Sequence, residues 1–141
     1  MGGYEGADHV NAFGEKLDMV AAVGHDRRLD ADYRAARRLG LRCVRESIGW
    51  RLTERADGSF DFSRAIRMAL AAQRQGVQIL WTLMHYGLPP DLTLMDDALI
   101  PRFARFAGEV ARVLGPLCAG PRFYTPINEI SFLSWVASAT G

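Results

Sequence analysis

Apolar and polar positions alternate in a rhythm that repeats along the chain. From Asp26 to Leu39 the residues Leu29, Tyr33, Ala36 and Leu39 recur at helical spacing, and Gly40 closes the pattern as a C-cap glycine does. Arg42 to Ile48 then reads as a strand. Phe62 to Gln75 places Ile66, Leu70 and Ala71 on one helical face, stops at Gly76 and hands over to the apolar run Val77 to Leu83. A continuous run of that kind is expected of a parallel strand buried on both faces. Leu99 to Leu114 predicts a third helix, with Phe103, Phe106, Val110 and Val113 inward and Gly115-Pro116 as its stop. Arg122 to Glu129 follows as another strand, and Gly2-Gly3-Tyr4-Glu5 reads as the C-terminal end of a first one.

Strands that each follow a helix describe repeated βα units, and therefore an α/β fold with a parallel sheet wound in one sense. A doubly wound open sheet and a (β/α)₈ (TIM) barrel both fit that order. No GxGxxG or Walker-type loop follows any strand, so the phosphate-binding signature of the nucleotide folds is missing and the barrel is favoured. A complete barrel takes about 250 residues. The 141 residues here reach the fourth strand, so residues 1–141 are expected to form one partial barrel domain, the N-terminal half, with about four βα units.

Composition adds mainly exclusions. With 17 Lys and Arg against 16 Asp and Glu, the net charge is +1, which argues against nucleic acid as a partner. No apolar run approaches the roughly 18 residues of a membrane span, and no charged and apolar leader opens the sequence. Cys43 and Cys118 have no metal-like spacing and are expected to be reduced thiols, so the cytoplasm is the expected compartment. Neither a metal nor an organic cofactor is suggested.

The candidate chemistry lies at the strand ends. In a parallel barrel the C-terminal ends of the strands surround the active site, which puts Asn128 and Glu129 where they touch substrate rather than pack. Trp50 and Trp135 also follow strand ends, where an aromatic face suits the apolar face of a sugar ring, whereas Trp81 lies inside a strand and is read as core.

Three segments carry a resemblance. Ile79-Leu80-Trp81-Thr82-Leu83-Met84-His85-Tyr86-Gly87-Leu88-Pro89 resembles the third-strand segment of family 1 glycoside hydrolases, an apolar strand ending in His, an aromatic residue and a Leu-Pro turn. Cys43-Val44-Arg45-Glu46-Ser47-Ile48-Gly49-Trp50 is similar to the second-strand segment, and Tyr124 to Glu129 to the fourth-strand end. Asp57 to Ser63 fits the turn before the second helix. The order is right and nearly the whole chain is covered.

The resemblance implies a β-glucosidase-like, retaining hydrolase of O-glycosidic bonds with a carbohydrate substrate. Glu129 would be the general acid/base, protonating the leaving oxygen and then activating water, a role that apolar neighbours favour by disfavouring the charged carboxylate. Asn128 would bind the sugar 2-hydroxyl, His85 the glycone hydroxyls, and Arg45 would hold the catalytic carboxylates by charge-assisted hydrogen bonds. Two positions depart from the family pattern. Ile130 stands where many members have proline after the Asn-Glu pair, and Glu5 is the nearest counterpart of a first-strand glutamine that contacts the sugar.

A retaining enzyme needs a second carboxylate about 5 to 5.5 Å from the first, and an inverting one needs it roughly 6.5 to 9.5 Å away. In the family that nucleophile ends the seventh strand, which these residues do not include. Glu5 and Glu46, near the ends of the first and second strands, are the carboxylates that could face the same cavity. The 141 residues alone are therefore expected to be inactive. Two alternatives stand beside this reading: a cellulase-like endo-glycosidase of the same clan, and a non-catalytic half-barrel that binds carbohydrate. Half a barrel leaves two sheet edges and an apolar face open, which favours self-association.

Overall fold

The structure is a computed structural model that describes residues 1–118 and 120–140. Its strands are β1 (Gly2–Gly3), β2 (Asp8–Val10), β3 (Lys16–Asp18), β4 (Cys43–Ser47), β5 (Gln78–Met84) and β6 (Phe123–Ile127). The helices are α1 (Met19–Ala22), α2 (Leu29–Arg38), α3 (Trp50–Thr53), α4 (Ser63–Gln75), α5 (Leu99–Leu114) and α6 (Ile130–Thr140). The main sheet has the order β1-β4-β5-β6 with every pairing parallel, and β2 and β3 form a separate antiparallel hairpin. This is the α/β arrangement of part of a barrel.

The register divides the sheet into two faces, because paired residues of neighbouring strands point the same way and chain neighbours point opposite ways. Glu46, Trp81 and Tyr124 form one row across β4, β5 and β6, and Arg45, Leu80 and Phe123 form the adjacent row on the opposite face. The first row faces the helices, since Tyr33 of α2 reaches Glu46. Val44, Ile79 and Trp81 are buried there against α2, α4 and α5.

The sequence pattern locates the main elements to within about three residues, and its errors have physical causes. Gly76 closes α4 in the left-handed conformation, φ 63°, where its N–H donates to the Gln73 carbonyl. α5 buries Phe106, Val110 and Leu114, each contributing roughly 1.5–3 kcal/mol. The expected helix from Asp26 begins only at Leu29, because His25–Arg27 form a 3₁₀ turn. Leu39, expected on the inner face of α2, is exposed, since the chain has already left the helix there. Leu70 of α4 is also 38% exposed, and the buried face consists of Ala65, Met68, Ala69, Ala71 and Ala72.

Candidate active site

Four polar side chains meet at the C-terminal edge of three adjacent strands. The ladder between β5 and β6 runs one residue past the strand, where the Asn128 N–H donates to the Met84 carbonyl at 3.0 Å. That bond sets Asn128 beside the end of β5. Arg45 of β4 donates from Nη1 to Asn128 Oδ1 at 2.6 Å, which orients the amide so that Nδ2 donates to the Tyr86 hydroxyl at 3.0 Å. The Tyr86 phenol in turn donates to Glu129 Oε2. Asn128 is buried, whereas Glu129 is exposed and faces solvent.

Both ends of the last contact are held in unusual backbone conformations. Tyr86 has φ 77° and Glu129 has φ 46°, and they are the only non-glycine residues with positive φ among the described residues. L-residues adopt that region at a cost of roughly 1–3 kcal/mol, and such positions cluster at functional sites. Burial and the Glu129 hydrogen bond push the Tyr86 phenol above its ordinary pKa of 10, so the phenol keeps its proton and remains a donor.

His85 lies beside this chain of contacts, with Nδ1 2.9 Å from Ser47 Oγ. Burial pushes its pKa below 6.5, against the pull of the Glu5 and Glu129 charges and with the help of Arg45. A neutral imidazole offers one donor and one acceptor, which suits hydroxyl recognition. Glu5 is exposed, and its Oε1 accepts from the Ala7 N–H at 2.8 Å.

The remaining site expectations separate. Trp50 is fully buried behind the sheet, where Nε1 donates to Glu54 Oε2 at 2.6 Å and the ring stacks on Phe106 at 5.6 Å. It is a core residue and cannot contact a sugar, because α3 turns it back under α5. Trp135 is 63% exposed on α6, and its ring sits 6.0 Å from that of Phe132, which packs edge-on against Tyr86 at 5.6 Å. Glu46 does not face the Glu129 cavity: it points to the helix side, where Oε1 accepts from Tyr33 at 2.7 Å and lies 2.9 Å from His25 Nε2.

Tyr86, Ser47 and Asp8 are the residues that sequence reasoning missed. Tyr86 was legible as the aromatic residue after His85, and Ser47 as the same-face neighbour of Arg45. Asp8 gives no such signal. It is buried in β2, its N–H donates to the His85 carbonyl at 3.1 Å, and it forms a parallel bridge with Tyr86. Among the described residues no group of three His, Cys, Asp or Glu side chains is arranged to hold a metal ion, and no helix is long and apolar enough to cross a membrane.

Solved structures resemble this arrangement. The chain superposes on the β-glycosidase BGL167 with a TM-score of 0.70 and 25% identity, over 84% of this chain and 29% of that one. The psychrophilic β-glucosidase BglU from Micrococcus antarcticus gives 0.69 and 25%, over 89% of this chain and 27% of that one. A rice β-glucosidase, Os3BGlu6, gives 0.75 at 20% identity over 96% of this chain and 30% of that one. No protein-family model matches the chain, and no curated protein matches it. The chain thus spans less than a third of the length of these three structures, and over that span it shares the fold of β-glycosidases.

Proposed function

We propose that these 141 residues are the acid/base-bearing part of a family 1-like, retaining β-glucosidase. The observation that carries this reading is the chain of contacts Arg45–Asn128–Tyr86–Glu129 at the C-terminal edge of a parallel sheet shared with β-glycosidases. Glu129, exposed and held by one phenolic donor, is the general acid/base. Asn128, its amide oriented by Arg45, meets the sugar 2-hydroxyl, and neutral His85 meets the glycone hydroxyls. Trp135 and Glu5 border the same edge as further sugar contacts.

The nucleophile is not among these residues. Glu46 is committed to His25 and Tyr33 on the far face, and Glu5 to its own turn. The 141 residues alone therefore bind β-glucosides weakly and do not hydrolyse them. Titration with methyl β-glucoside, followed by amide NMR, is expected to move His85 and Asn128 and to fail in Asn128→Ala; no movement at either residue rejects the sugar site. Hydrolysis of an aryl β-glucoside that disappears in Glu129→Gln rejects the inactivity.

A non-catalytic, self-associating half-barrel is the second reading, favoured by the exposure of Phe123, Ile130 and Trp135 beside the β6 edge. Sedimentation separates the two, since a monomer at high concentration excludes self-association.

A further inference from the structure

The buried carboxylate of Asp8 takes no part in the proposed reaction, yet it is built into the turn that carries Tyr86. It is 1% exposed, and neither oxygen has a hydrogen-bond partner among the described residues. An unsatisfied buried carboxylate is expensive, so its retention calls for a reason. Its surroundings are closely fitted: a Cβ added to Gly87 would lie 2.2 Å from Asp8 Oδ2, and one added to Gly49 would lie 3.6 Å from Oδ1. Gly87 directly follows Tyr86, and the Asp8 N–H holds the His85 carbonyl. The backbone on both sides of Tyr86 therefore rests on Asp8.

The charges around it come from several elements. Arg51 of α3 places Nε 3.4 Å from Oδ2 and donates from Nη2 to the Leu17 carbonyl of β3. Asp18 is the cross-strand partner of Asp8 in the hairpin and is itself paired with Arg64 of α4 at 2.7 Å. His9 follows in the chain, with its ring edge-on to Tyr86, and His85 sits on the turn itself.

We propose that Asp8 is a positioning residue for the candidate site: its charge state, balanced by Arg51, sets the seat of the His85–Gly87 turn and thereby the grip of Tyr86 on Glu129. Burial pushes the Asp8 carboxyl up to about 7, against the opposing pull of Arg51, so the change of charge falls at neutral pH. Deprotonation puts a full charge against Gly49 and Gly87 and strengthens the pull toward Arg51; protonation relaxes both. The catalytic consequence rests on reading Glu129 as the acid/base, whereas the position of Tyr86 can be followed without any substrate.

The test is a pH titration of the Tyr86 ring ¹³C–¹H resonances in the 141-residue chain, assigned with Tyr86→Phe. A transition with its midpoint near pH 7 is expected, retained in His9→Gln and lost in Asp8→Asn. Persistence of the transition in Asp8→Asn, or its loss in His9→Gln, overturns the role of Asp8. If Asp8→Asn does not fold, the Asp8 carboxyl ¹³C signal of the unmodified chain decides: a midpoint shared with Tyr86 supports the role, and separate midpoints overturn it. Failure of glycoside binding in the same chain leaves this readout untouched.

Discussion

The Tyr86 hydroxyl sits between two residues that are consecutive in the chain, accepting from Asn128 Nδ2 at 3.0 Å and donating to the Glu129 carboxylate. One phenol thus orients both members of the Asn-Glu pair. Tyr86→Phe leaves the buried Asn128 amide short of a partner and is expected to lower stability by about 1–3 kcal/mol. Urea unfolding of the two chains measures it, and an unchanged midpoint would show that water replaces the phenol.

Backbone strain at Glu129 can be read separately from its side chain. Glu129→Ala and Glu129→Gly both delete the carboxylate, but only glycine adopts φ 46° without penalty. Glu129→Gly is expected to be the more stable of the two by about 1 kcal/mol. Equal stabilities would mean that the turn relaxes once the carboxylate is gone.

Two buried groups tie stability to pH with the same sign. The Asp8 carboxyl is raised from 3.8 to about 7 in the fold, so its contribution is complete below pH 3.8 and is lost as the pH climbs to about 7. His25 is held between Asp32 and Glu46 at 2.7 and 2.9 Å, and hydrogen bonds and charge attraction from both raise its pKa above 6.5, outweighing burial. Its contribution is complete below pH 6.5 and is lost as the pH rises through the folded value. Chemical denaturation across pH 4–9 is expected to show stability falling with pH. Asp8→Asn flattens the acid part of that fall, and His25→Gln flattens the alkaline part.

The tryptophans give a contrast in packing. Trp50→Ala opens a cavity between Phe103 and Phe106 and strands Glu54 Oε2, and is expected to cost about 3–5 kcal/mol. Trp135→Ala is expected to stay within about 0.5 kcal/mol. Thermal melts of both variants check the assignment of Trp50 to the core, which similar losses would contradict.

Gly87→Ala is expected to be destabilising by about 1–3 kcal/mol, because the new methyl meets the Asp8 carboxylate and backbone rather than a flexible chain end. Pairing it with Asp8→Ala should recover only the carboxylate's share of the loss, because the Asp8 carbonyl oxygen, 2.5 Å from the added Cβ, remains; a double variant no better than the single one would place the whole clash on the backbone.

Long periodic segments were legible because burial enforces their period. α5 matches its expected bounds, Leu99 and Leu114, since its inward residues repeat cleanly and Gly115-Pro116 ends them. The β2–β3 hairpin was not legible: its three-residue strands are too short to show alternation, and Asn11 supplies the turn through its own side chain, accepting from the Phe13 and Glu15 N–H groups. α6 was missed because Ile130 to Thr140 is apolar nearly all round and shows little periodicity. In the site, Asn128, Glu129 and His85 stand out as polar residues at strand ends and Arg45 as a charge inside a strand, and the structure brings them together. Trp50 misled because a residue just past a strand end can be carried backwards by a single helical turn. Asp8 stayed hidden because its backbone N–H and its carboxylate both meet a turn nearly eighty positions away in the chain.

Arg45 and Glu46 are chain neighbours on opposite faces of β4. A slip of one residue in the pairing of β4 would exchange them, sending a guanidinium in beside the His25 ring and turning a carboxylate toward Asn128 Oδ1. Either outcome takes a charge away from its partner among buried side chains, at roughly several kcal/mol. The strand therefore carries its own proof-reading: only one alignment lets both charges find their partners, and that alignment is the one that builds the site.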